Sequence, residues 1–316
     1  MSNTPISNGG QGPQEHGFAG LSERQVAYAL LLTAPAMFGT NMLVARWMAD
    51  TAPPVALAFW RWFGVLILML MIRGPKLWQH RQDVMREWKD LVVLGALGMG
   101  VCGAFVYIGA ETTTATNIGL LYASAPVMIV FLAWRFYGER LTAIQVLGGL
   151  ICLAGVLWII ARGDLSAFKS LQFTIGDLWI MGAVAGWAIY AIMMKYRPSA
   201  MGMMTRFTAI CGAGTILLAP FYLWETLTIK AMPFTQDGIA AIALLILLPG
   251  FGAYQAYAKA QAVLGAARGS LILYLGPVYV AFLAWFFLGE TLEKYHLIGA
   301  ALVLPGIYLA NRRPKS

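Results

Sequence analysis

FLAWRFYGERLTAIQVLGGLICLAGVLWIIAR, residues 131–162, returns 151 residues later as FLAWFFLGETLEKYHLIGAALVLPGIYLANR, residues 282–312. At that offset Pro126 meets Pro277, Phe131 meets Phe282, Ala133-Trp134 meets Ala284-Trp285, and Gly138-Glu139 meets Gly289-Glu290. Leu141 then meets Leu292, Gly148 meets Gly299 and Gly155 meets Gly306. The beginnings of the two halves correspond more weakly. FGTNMLVAR, ending at Arg46, aligns with WAIYAIMMK, ending at Lys195, and Trp60-Arg61-Trp62 aligns with Thr205-Arg206-Phe207. The chain is a duplication, and both copies are apolar.

Composition says where such a chain resides. Of 316 residues, 59% are hydrophobic and only 11% charged, against about 25% charged in soluble domains. Mean hydropathy is +0.69. A soluble fold of this length would still need a hydrated surface, so the chain reads as an all-α polytopic membrane protein. A span needs about 20 mostly apolar residues. Ten stretches qualify: 25–47, 55–73, 91–111, 117–136, 143–161, 175–195, 202–224, 238–258, 268–288 and 296–311. Residues 23–162 form a first five-helix repeat and 163–312 a second. Because five is odd, the second enters the membrane from the opposite side, as in carriers whose substrate site lies between inverted repeats. The longest connection, Gly74 to Asp90, is basic and amphipathic.

The +8 charge is spread along the chain as topogenic lysines and arginines and forms no single patch for nucleic acid. Most of them fall on one side if both termini are cytoplasmic. Residues 1–22 are polar, rich in Gly, Pro, Asn and Gln, and lack a signal-peptide pattern; they read as a disordered tail, and 313–316 as a second one. Cys102, Cys152 and Cys211 lie in apolar runs without a CxxC pair, which argues for packing and against a disulfide framework or zinc site. His16, His80 and His296 lie in tails or loops, and HExxH and GxSxG are missing. An enzyme, a metal and a cofactor are therefore not expected.

Local signals agree with the repeat. Gly138 and Gly289 suit left-handed helix ends, and Thr142 with Gln145 forms a capping box that Glu293 and His296 keep only in part. Glu139 and Glu290 suit helix N-termini or a gate. Gly148, Gly155, Gly299 and Gly306, and the Gly182/Gly186 pair, permit close helix approach.

These residues carry a resemblance. Two five-helix halves, each closing on P-V…A-W…G-E-x-L…G…G, resemble the drug/metabolite transporter superfamily in its EamA-type branch. The length and the aromatic, amide-bearing interior are similar to the aromatic amino acid exporter (YddG) type. The resemblance implies a ten-helix basket around a central cavity in the bacterial inner (plasma) membrane. It also implies export of amino acids, other metabolites or cationic drugs.

Polar residues inside spans are functional candidates. Asn41 in the first helix has Tyr190 as its repeat partner, beside Trp187; the amide either bonds a neighbouring helix or reads a substrate. Tyr122 and Tyr274 flank Pro126 and Pro277. Glu111, the one carboxylate placed inside a helix, shares a face with Tyr107; it meets a substrate ammonium or bonds the following turn. GAYQAYAKAQA puts Tyr254, Tyr257 and Gln261 on one stripe and Gln255 and Lys259 on the next. Trp60, Arg61, Arg46, Lys195 and Lys259 are gate candidates, Arg61 at the outer start of the second helix sandwiched between the aromatic faces of Trp60 and Trp62, with interfacial anchoring as the alternative. A small-molecule substrate, the lipid bilayer and a monomeric state complete the expectation.

Overall fold

A computed structural model describes residues 23–48, 51–288 and 291–311. The two predicted tails, Gly289 and Glu290 lie outside the described residues, and so does the side chain of the gate candidate Arg46. Among the described residues ten main helices build the architecture: α1 (Glu23–Met48), α2 (Pro54–Gln79), α3 (Trp88–Ala110), α4 (Ala115–Ala123, then Ala125–Tyr137) and α5 (Ala143–Ile160). The second set is α6 (Ile175–Tyr196), α7 (Met203–Thr228), α8 (Gln236–Leu264), α9 (Ala266–Leu271, Ile272–Leu275 and Gly276–Leu288) and α10 (Lys294–Ala310). Among the described residues nine are long and apolar enough to cross a bilayer; α10, at 17 residues, is apolar but shorter.

Helix ends follow the local chemistry. Gly138 closes α4 at φ +68, where a Cβ would be strained. Thr142 and Gln145 form the expected box at α5. Glu293 and His296 form a complete one at α10, with the Glu293 amide donating to His296 Nδ1 at 3.1 Å. The box is therefore fully kept by chemically different residues, and His296 is a first-turn helix residue, not a loop residue. The predicted loop from Gly74 to Asp90 is also helical: α2 continues through Pro75 to Gln79, a short helix covers Arg81–Arg86, and α3 begins at Trp88. Its basic, amphipathic pattern suits a helix end at an interface, where length is not limited by the apolar core.

Packing repeats with the sequence. α2 packs on α7, α4 on α9 and α5 on α10, each helix against its own counterpart. The α1–α8 contact is matched by α6–α3, and α1–α9 by α6–α4. At the α5–α10 crossing Gly148 faces Gly306 and Gly155 faces Gly299, so the two helices run antiparallel. Between these pairs Cys152 Sγ reaches the carbonyl of Val303, its own repeat mate, at 3.5 Å. Residues that touch their own counterparts lie on the axis relating the halves.

Candidate functional site

The second place where counterparts touch is the centre. Phe38 and Trp187, aligned by the repeat, meet edge to face with ring centroids 5.4 Å apart. Tyr254 joins both, at 5.7 Å from Phe38 and 5.4 Å from Trp187, and Tyr190 stacks on Trp187 at 5.8 Å. Trp62 closes against Tyr254 at 5.0 Å. Such edge and offset contacts are the favoured geometries for aromatic pairs. Tyr107, Tyr190, Tyr254 and Trp62 are all at most 5% exposed. The expected central cavity is thus packed shut in this conformation, its lining rings resting on one another. Two clefts lie elsewhere. One of about 310 Å³ sits between Arg73, Lys76, His80 and the first turn of α7, and one of about 130 Å³ beside Asn117 and Asp177.

A polar knot adjoins the rings. Asn41 Oδ1 accepts from the Tyr107 hydroxyl at 2.6 Å and from Arg61 Nη1 at 3.1 Å. Arg61 Nη2 donates to the Pro249 carbonyl at 3.2 Å, and the guanidinium carbon sits 4.5 Å from the Trp62 ring centroid. The free carbonyl has a cause. α3 and α8 each widen into a π turn, Ala96–Val101 and Ile246–Gly252, at matching places in the two halves. A π turn leaves backbone groups out of the regular ladder and recurs at functional sites. The matched carbonyls are both used: Pro249 O by Arg61, and Gly98 O by the Tyr254 hydroxyl at 3.0 Å. Gly98 is required there, since a Cβ would fall 2.7 Å from the Tyr190 ring.

The structure therefore brings Asn41, Tyr107, Trp187, Tyr190 and Tyr254 together with Trp62 of the Trp60-Arg61-Trp62 run, and adds Phe38 and Pro249, which sequence reasoning did not single out. Pro249-Gly250 inside an apolar run was the signal that could have found the last. Arg61 was expected at the outer start of α2, sandwiched between Trp60 and Trp62. It is instead 4% exposed in the interior and lies over Trp62 alone. Trp60 faces Phe59, Tyr222 and Phe234 on the α2–α7 seam. Tyr122 packs in a satellite cluster with Ile118, Ile180 and Val184 that shares Trp187. Tyr274 is buried in the core, its turn Ile272–Leu275 packed on α1, α10 and α5, and is not part of the knot. Gln255 has a buried Oε1 with no partner among the described residues, and Lys259 is half-buried on the same stripe. Lys195 donates to the Ala262 carbonyl at 2.9 Å, near the end of α8, where a cation is favoured.

Glu111 is exposed at the C-terminal cap of α3. It is not the sole helical carboxylate, because Asp177 and Glu225 are 1% and 3% exposed inside α6 and α7. Both were overlooked because each is consumed by helix ends. Asp177 accepts from the Thr174 amide at 2.7 Å, Thr113 Oγ1 at 2.5 Å and Asn117 Nδ2 at 3.0 Å. Glu225 holds the first amides of α2 from beyond the point where α7 was expected to end. Arg206, the counterpart of Arg61, is 5% exposed; it donates Nη1 to the Arg197 carbonyl at 3.0 Å, while Nε and Nη2 have no partner among the described residues.

Comparison with known proteins fits a chain of two similar halves. The family model described as the EamA-like transporter family matches residues 25–161 and again 174–312. The chain is 26% identical to an uncharacterized transporter, YyaM, of Bacillus subtilis over 90% of this chain and 93% of the relative. It is 28% identical to a probable terminal-alkyne amino-acid exporter of Streptantibioticus cattleyicolor over 74% and 76%. It is 24% identical to an uncharacterized inner membrane transporter, YedA, of Escherichia coli over 87% of each chain. A crystal structure of another protein, 21% identical, superposes with a TM-score of 0.71 over 91% of this chain and 96% of the other, a likeness of fold.

Proposed function

The chain belongs to the EamA-like transporter family, and on that premise we propose that it is an alternating-access exporter of small amphipathic metabolites, foremost aromatic and other neutral amino acids. The observation that carries this reading is the aromatic cluster where Phe38 meets its counterpart Trp187, joined through Tyr254 and Trp62 to the Asn41–Arg61–Tyr107 knot. Apolar walls with a few fixed polar groups are the ordinary make-up of a small-molecule site. A contact between counterparts is where two inverted halves rock against each other, so the rings that close the centre are the ones a substrate parts. The amino-acid exporter among the relatives supports the substrate class. The spread of lysine and arginine supports cytoplasmic termini.

Counterflow tests it. Proteoliposomes loaded with unlabelled amino acids should accumulate labelled Phe or Trp, because a carrier exchanges substrates through one shared site. Trp187→Ala removes the ring that touches Phe38, Tyr190, Tyr254 and Tyr257, and should reduce exchange about tenfold, equivalent to about 1.4 kcal/mol and in keeping with ~0.5–1.5 kcal/mol for an aromatic contact beyond its buried area. Tyr107→Ala should do the same by releasing Asn41. Accumulation of methyl viologen with no amino acid exchange would replace this reading with a cationic-drug carrier. Unchanged exchange in a normally expressed Trp187→Ala protein would remove the cluster from the site.

A further inference from the structure

We propose that Arg61 is the carboxylate-binding group of this carrier, so that its substrates are amphipathic carboxylates held acid-end to the guanidinium and apolar-end among the rings. The inference rests on the carrier reading above and sharpens it from amphipathic metabolites to a charge type.

The first argument is an unbalanced charge. Arg61 is 4% exposed, yet both of its hydrogen-bond acceptors, Asn41 Oδ1 and the Pro249 carbonyl, are uncharged. Its Nε is buried with no partner among the described residues. Among the described residues the buried carboxylates are committed elsewhere: Asp177 to Thr113, Asn117 and Thr174, and Glu225 to the Val55 and Ala56 amides. Glu111 is exposed at the end of α3. A cation removed from water without an opposite charge is unfavourable, and charges kept inside a membrane span mark function.

The second argument is geometry. A guanidinium offers parallel N–H donors that match a carboxylate as a fork. Nη1 and Nη2 form one such fork, and the Asn41 oxygen on Nη1 is its exchangeable neighbour. A carboxylate that takes the place of that oxygen also releases the Tyr107 hydroxyl, which now donates to Asn41 at 2.6 Å, to donate to the same anion. The apolar end has a continuous path: Trp62 lies against the guanidinium at 4.5 Å, Tyr254 against Trp62 at 5.0 Å, and Trp187 against Tyr254 at 5.4 Å. A substrate that is cationic overall would meet an uncompensated positive charge at the one polar end of this path.

The test is a series differing only in charged groups: phenylalanine, 3-phenylpropionate, phenylalaninamide and phenethylamine. Each is titrated into the full-length protein in detergent, with ligand-induced change in melting temperature as readout. Each is then used to compete with labelled phenylalanine in counterflow. The two carboxylates should stabilise the protein and compete; the amide and the amine should need at least tenfold higher concentration. Arg61→Gln should erase that difference. Arg61→Lys should keep the preference with weaker binding, because an ammonium is a point charge without the fork. If the Arg61 variants fail to fold, Asn41→Ala leaves the guanidinium in place and should lower the half-effective concentration of the carboxylates. Phenethylamine or phenylalaninamide acting as well as the carboxylates, or no carboxylate response in melting, overturns the assignment. Counterflow that is indifferent to the carboxylate keeps the carrier and removes Arg61 from recognition. Carboxylate-dependent stabilisation without any counterflow keeps the Arg61 site and removes the carrier reading.

Discussion

Gly148→Val is expected to leave almost no folded protein. A Cβ at position 148 would lie 2.6 Å from the Gly306 carbonyl oxygen, and the neighbouring atoms of Ala310 are also backbone. Backbone cannot swing aside as a side-chain tip can, so α5 and α10 must separate along the crossing, where a Cβ on Gly155 would likewise lie 2.8 Å from the Gly299 oxygen. Overpacking usually destabilises by about 1–3 kcal/mol. Here the effect should exceed that range, because helix association in lipid relies on close van der Waals packing without a hydrophobic drive. Loss of the monodisperse peak in detergent size-exclusion chromatography is the readout. Gly212→Ala is the contrast: a Cβ on that helical glycine would meet only Leu66 Cδ1, at an ordinary 3.7 Å, and the change should stabilise by about 0.5–1 kcal/mol. A Gly148→Val protein that purifies and melts like the parent would show the crossing to be looser than described.

The second large effect is expected from Glu225→Ala. The two carboxylate oxygens of Glu225 accept from the amides of Val55 at 3.0 Å and Ala56 at 2.6 Å. These are among the first amides of α2, which lack partners within their own helix, and the negative charge also favours that end of the helix dipole. Hydrogen bonds to a charged group contribute about 1.5–3 kcal/mol each, and alanine leaves both donors buried and unpaired. A fall in melting temperature of about 5 °C or more should follow. Glu225→Gln, which keeps one oxygen acceptor, should fall between parent and alanine. Glu139 is built the same way at the other end of the molecule, accepting from the Ala266 and Ala267 amides at 3.2 and 2.8 Å. Glu139→Ala should therefore destabilise in parallel, and a melting temperature unmoved by either change would contradict the capping role.

The repeat and its glycines were legible because close packing and duplication leave marks at fixed spacing: Gly148, Gly155, Gly299 and Gly306 are read from the chain and meet in the fold. The polar stripe of α8 was legible for the same reason, with Tyr254, Tyr257 and Gln261 all buried on one face. Arg61 was not. Two turns into an apolar helix beside two tryptophans, it has the sequence context of an interfacial anchor. What makes it central is the approach of Asn41 from α1 and Pro249 from α8, separated from it by 20 and 188 residues. Glu225 was obscured in the same way, and for Glu139 a helix N-terminus was expected but not that of α9, since the amides the two cap are 127 or more residues distant. Periodicity encodes which face is buried; it does not encode which distant backbone end needs an anion.

The matched π turns of α3 and α8 amount to slack wound into two otherwise taut rods. Each holds one residue more than an α-helix needs over the same rise. Closing such a turn into α geometry without shortening the chain would swing everything beyond it by about 100° and advance it by about 1.5 Å. Tyr107 would then leave Asn41 while the rest of α3 stayed in place. Taking the surplus residue out does the reverse: a chain lacking Gly100 should still set Tyr107 against Asn41, since both flanks keep their phase, and a loss of melting temperature on Tyr107→Phe equal to the parent's would read that directly. The same rods, relieved of their slack, would be stiff.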